Sequence, residues 1–183
     1  MNPSRVAVVF LVLLAASSGC GGGTSSPGMR GALTCSSDAR AMLYQPGMSQ
    51  TTSEGHLMVT LLSSLPGPPL KGNNTWVVEV RDPNGPIDGA TLSATPFMPD
   101  HGHGSSIRVG VEAAGAPGTY RLARPRSPRG RLARDFPNGL VPTSYGYLAP
   151  VNLFMSGLWR VTVNVATPAG QHEFVTFLFC VEG

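Results

Sequence analysis

The chain has 183 residues, of which 42% are hydrophobic and only 13% charged, with 23 Gly and 17 Pro; this excludes a coiled coil and a charge-driven disordered polymer, and is long enough to bury a real core. So many Gly and Pro break long helices and favour a turn-rich β fold. The formal net charge of +3 points towards an acidic partner only if the arginines are evenly spread.

In residues 1–19, Arg5 precedes the apolar run Val6–Ala16. As a helix that run is about 16 Å long, too short for the roughly 30 Å of hydrocarbon in a bilayer. It reads as a secretory signal segment. Ser17, Ser18 and Gly19 then lead into Cys20. This resembles a lipobox, with Ser17 where Leu is usual, and so implies a bacterial lipoprotein acylated on Cys20. Plain secretion is the alternative. Gly21 rather than Asp after the cysteine implies outer-membrane sorting. The expected location is the cell envelope, lipid-anchored, facing the periplasm or the surface.

Residues 20–34 are rich in Gly, Ser and Thr and are expected to act as a flexible tether. The remaining cysteines, Cys35 and Cys180, form an even pair in an exported chain and predict a disulfide. Closing so long a loop stabilises by about 5 kcal/mol in the chain-entropy picture. Two cysteine metal ligands would be the alternative, but no CxxC is present.

Residues 35–183 are expected to form one domain. Period-two patterning predicts strands at 56–65, 74–81, 90–97, 106–111, 118–123, 151–154, 159–166 and 173–181. Trp76, Val78 and Val80 share one face of the second. RDPNGP, at 81–86, is a turn. The last strand is nearly all apolar and so central or core-facing. Together these give an immunoglobulin-like β-sandwich of about seven to eight antiparallel strands.

Residues 121–134 hold six arginines among Pro125, Pro128 and Gly130, which predicts an exposed loop, an insertion spanning about 124–149. An anionic partner could meet it, or solvent alone. One further basic residue lies in the leader. The other six Lys and Arg face ten Asp and Glu, so the sandwich itself is mildly acidic. Nucleic acid is therefore not expected as a partner, and no aromatics alternate with the arginines to stack bases.

Four histidines are present, and two fall in PFMPDHGHGSS, residues 96–106. In extended backbone His101 and His103 project to one side, where both rings could reach a single ion. Met98 adds a thioether, and imidazole with thioether suits copper, above all Cu(I). His56 is expected to be structural or solvent-facing and His172 solvated. Trp76 and Trp159 are expected to pack the core.

The stretch TWVVEVRDPNGPIDGATLSATPFMPDHGHG, then GTYRLA, then VNLFMSGLWRVTVNV, resembles the YtkA-like (FixH-related) domain over about residues 54–181. That resemblance implies an exported β-sandwich associated with copper handling, and a site of Met98, His101 and His103 completed by Met155. It also implies a copper donor or acceptor protein as partner. The competing expectation is a metal-free interaction module, in which the HGHG segment is a structural turn and Met98 and Met155 are core residues. Catalysis is not expected. There is no GxSxG elbow, HExxH or phosphate-binding loop, no free thiol, and no paired carboxylates.

Overall fold

A computed structural model describes residues 35–105, 107–123, 141–143 and 146–183, and of 141–143 and 146–148 the backbone alone. The signal segment, Cys20, the tether and most of the Arg-rich insertion lie outside the described residues. Their expected domain boundaries therefore remain expectations.

Alternation makes the centre of the first sheet. In β3 (Gly72–Asp82) Asn74, Trp76, Val78 and Val80 are buried while the residues between them are not, as a pleated strand with one face on a core demands. β2 (Met58–Leu65) pairs antiparallel with β3 on one side, and β1 (Met48–Thr51) pairs outside β2. On its other side β3 takes β9 (Thr119–Leu122), beyond which lies β8 (Val111–Ala113). β12 (Val151–Leu153) pairs with the start of β3, and β4 (Gly85–Pro86) folds back on its end. The turn before β4 is the one expected at RDPNGP. The Asp82 carboxylate accepts the Asn84 and Gly85 amides at 2.8 and 3.0 Å, an arrangement for which Asp is suited.

The second sheet has the order β14–β13–β5–β6, from His172–Val181, Gly157–Ala166, Thr91–Met98 and His103–Gly104. β13 and β14 form a ten-pair hairpin, and β5 pairs antiparallel along β13. β14 lies at the edge of its sheet, with one face on the core. Backbone amides of Met42 and Ser53 donate to its Leu178 and Phe174 carbonyls, covering the edge.

The chain is thus an all-β sandwich, and among the described residues the only helical turn is Cys35–Ser37. No helix among them is long and apolar enough to cross a membrane. The core between the sheets is aromatic and β-branched. Trp76 meets Phe177 and Phe179 edge-on, with centroids 6.0 and 5.7 Å apart. Trp159, Val161 and Val163 are fully buried. Both tryptophans are core residues, as expected. The Trp76 Nε1 has no hydrogen-bond partner.

Two expectations need correction. The strand expected over 106–111 divides at Gly110 into β7 (Arg108–Val109) and β8. Gly110 donates to Ala149 and accepts from Ala123, so the chain crosses from one sheet to another there. The expected insertion, 124–149, also contains regular structure. β10 (Val141–Thr143) and β11 (Gly146–Ala149) pair antiparallel, and β11 runs parallel to β7. Val141, Tyr147 and Leu148 are good strand formers, and the Pro- and Arg-rich character of the insertion ends before them.

The disulfide joins Cys35 to Cys180 across 145 residues. It ties the start of the described chain to the end of β14.

Candidate metal site

β5 ends at Met98 and the chain returns at once as β6, pairing Met98 with His103 and Phe97 with Gly104. Between them Pro99–Gly102 make a tight turn, in which the His101 and Gly102 amides both donate to the Met98 carbonyl at 3.3 and 2.9 Å. Gly102 has φ +69°, and at Gly104 a Cβ would stand 2.5 Å from the Pro96 carbonyl oxygen. One glycine permits the left-handed bend. The other permits the close return of the strand.

This corrects the expected geometry. His101 and His103 share a side because a hairpin turn folds one ring towards the other, and an extended run is not involved. Their ring centroids lie 5.7 Å apart at an angle of 57°, and both residues are exposed. An ion about 2 Å from a nitrogen of each ring lies about 3 Å from each ring centre, so centres up to about 6 Å apart can share it. The separation meets that condition.

The segment from β12 to β13 supports the second imidazole. The Phe154 ring stacks on His103 at 5.8 Å and 20°, and stands edge-on to Trp159 at 5.3 Å. Trp159 Nε1 donates to the Met155 carbonyl at 2.9 Å, fixing the loop. Met155 is partly buried against the core, one residue from the ring that touches His103. Met98 is fully buried. A Cβ on Gly157 would come within 2.7 Å of its methyl carbon, so its thioether is packed beneath that glycine as part of the core.

Asp100 in the turn is occupied. Arg40 Nη2 reaches it at 2.9 Å and Asp38 at 2.6 Å. The Arg40 hydrogen bonds hold the Asp38 carboxyl down at about 2, and the two carboxylates push the guanidinium up. Nothing in the sequence flags this clamp, since Arg40 carries no motif and lies sixty residues from Asp100. Among the described residues, no three His, Cys, Asp or Glu side chains gather as a metal site.

The other histidines stand elsewhere. His56 Nδ1 lies 2.8 Å from the Glu173 carboxylate, which Thr52 Oγ1 also meets. His56 is thus tied to a buried carboxylate while its side chain stays 65% exposed, in line with the structural or solvent-facing role expected. His172 is exposed and lines a groove of about 330 Å³ with Ser93, Asn164 and Phe174, at the other end of the sheet. Of the six arginines in residues 121–134, Arg121 is described; it stands in β9, ahead of the insertion, 3.6 Å from Glu112.

The residues define an all-β sandwich with a pair of exposed imidazoles on a glycine-shaped turn at one end. No family model matches the chain, and no curated protein matches it. Solved structures that resemble it include a copper-bound variant of FetP from uropathogenic Escherichia coli and FetP as isolated after expression in the periplasm of Escherichia coli. Each is 13% identical with a TM-score of 0.43, and the match covers 76% of this chain and 97% and 96% of theirs. A likeness that loose transfers no residue and no ligand.

Proposed function

We propose that this domain binds copper and passes it on, taking Cu(I) between His101 and His103 with the Met155 thioether as third donor. The observation that carries the reading is the 5.7 Å separation of two exposed imidazoles, set by a turn that folds back within six residues. Two neutral imidazoles hold the ion, and a soft thioether favours the reduced state. Both imidazoles are exposed, so a partner's ligands could replace them one at a time. The resemblance to YtkA-like domains in MPDHGHG and FMSGLW agrees with this reading. Met98, buried beneath Gly157, supports the turn and would need to shift to act as a ligand.

The domain is further proposed to be non-catalytic and lipid-anchored through Cys20 in the cell envelope, with a copper donor or acceptor protein as its partner. The Arg-rich insertion is proposed to meet an anionic partner.

One observation favours a second reading. Burial of Met98 and engagement of Asp100 by Arg40 leave only the two imidazoles freely presented, which suits a metal-free interaction module. A Cu(I) competition titration separates the readings. The native protein should take Cu(I) from a chromophoric chelator, and a His101→Ala/His103→Ala variant should not. Equal competition by the two proteins removes the copper reading.

A further inference from the structure

The two ends of the sandwich differ in chemistry. At one end lie the His101–His103 turn, the start of β13 and the end of β14, paired through Gly157 and Val181. The end of β2 and start of β3 lie at that same end, because only residues 154–156 link β12, paired with Gly72, to β13. Leu43, Leu65, Leu70 and Phe154 belong to the segments at that end and are 82%, 75%, 46% and 41% exposed. Tyr44 ties the segment of Leu43 to the end of β2, since its hydroxyl accepts the Ser64 amide at 2.7 Å. Asn74 fixes Leu70, exchanging hydrogen bonds with its amide and carbonyl.

The opposite end is less apolar. Its turns, residues 53–56, 82–85, 114–118 and 167–171, contain no Leu, Ile, Val, Met, Phe, Tyr or Trp. Its exposed large apolar side chains are two, Met58 at 37% and Phe174 at 48%, against four at the first end, and a gathering of that kind marks a surface that meets something other than water.

The described chain also begins at this end, where Cys35 is bonded to Cys180. Fourteen residues separate Cys35 from Cys20, and a stretch of their Gly- and Ser-rich composition spans roughly 20 Å. We propose that this end rests on the lipid bilayer, with Leu43, Leu65, Leu70 and Phe154 entering the boundary between headgroups and acyl chains. The inference rests on the reading of Cys20 as the anchor, which brings this end to the membrane. Docking would place His101 and His103 at the membrane surface.

Bromolipid quenching tests it. Full-length protein, produced in a bacterial host and purified in detergent, is incorporated into vesicles of phosphatidylethanolamine and phosphatidylglycerol with brominated acyl chains. Leu65→Trp reports the apolar end and Ala116→Trp the opposite one; the native tryptophans are fully buried. The emission that Leu65→Trp adds to the parent's should be largely quenched, while that added by Ala116→Trp and the parent's own should persist. Equal emission from the two variants overturns the docking. Leu43→Trp gives a second report should Leu65→Trp fold poorly. The mass of the N-terminal peptide tests the anchor separately. Acylated Cys20 with an unquenched Leu65→Trp keeps the anchor and removes the docking. Unmodified Cys20 with a quenched Leu65→Trp does the reverse. Shielding seen only when envelope proteins share the vesicles overturns the bilayer in favour of a protein partner.

Discussion

Arg40 and Asp100, sixty residues apart, are joined at 2.9 Å, and this pair ties the segment after Cys35 to the turn that carries both candidate histidines. Arg40 also holds Asp38, two residues before it, so the guanidinium bridges its own segment and the histidine turn. Both partners are half-exposed, so the bridge orients the turn more than it stabilises the fold. Arg40→Gln should leave the melting temperature nearly unchanged. It should speed hydrogen exchange at the His101 and Gly102 amides and weaken Cu(I) binding. Unchanged exchange at both amides would show that the turn holds its shape without the bridge.

The two glycines of the turn should differ in their effect. At Gly102 a Cβ meets nothing within 4 Å, so Gly102→Ala should cost about 1–2 kcal/mol of backbone strain and little else. At Gly104 the added carbon runs into the Pro96 carbonyl, and Gly104→Ala should lift β6 from β5 and carry His103 with it. Chemical denaturation and Cu(I) titration of both variants check this. Gly104→Ala should show the larger loss of Cu(I) affinity.

A pH dependence follows from Glu173, whose side chain is 2% exposed. Burial pushes its carboxyl up, but hydrogen bonds from Thr52 and His56 outweigh that and hold it below its ordinary value. A carboxyl depressed in the folded state stabilises the protein at pH values above its unfolded pKa. That contribution is lost as pH falls from about 4 through the folded value. Denaturation curves from pH 7 to pH 3 should show the loss. Glu173→Gln should cost about 2 kcal/mol at pH 7 and flatten the curve in that window.

Trp76 and Trp159 are equally buried, yet only Trp159 uses its Nε1, on the Met155 carbonyl. Trp76→Phe should lose packing alone. Trp159→Phe should lose packing and about 1 kcal/mol more for the hydrogen bond, and should release the loop that carries Phe154 and Met155. Parallel denaturation and Cu(I) titrations distinguish them, and equal behaviour at the site would remove the supporting role of that loop.

How far the sequence reveals this molecule depends on the range of each interaction. β3, β13 and β14 are legible because alternation with period two is a local consequence of one face meeting a core. The pairing of His101 with His103 is legible too, but the shape of their turn is not. The positive φ at Gly102 and the close return at Gly104 depend on β6 pairing back onto β5. The clamp of Arg40 on Asp100 and the cluster of Thr52, His56 and Glu173 are illegible for another reason. They join residues 60 to 121 positions apart, and only the folded sandwich brings them together. The β10–β11 hairpin was hidden by the composition of the arginine-rich run before it.

The central claim is most directly tested on the histidine ring nitrogens. Long-range proton–nitrogen spectra before and after one equivalent of Cu(I) report all four imidazoles in one sample. The account predicts that the His101 and His103 nitrogens shift together while those of His56 and His172 stay in place. Shifts at His56 or His172 in their stead, or at no histidine, would contradict it.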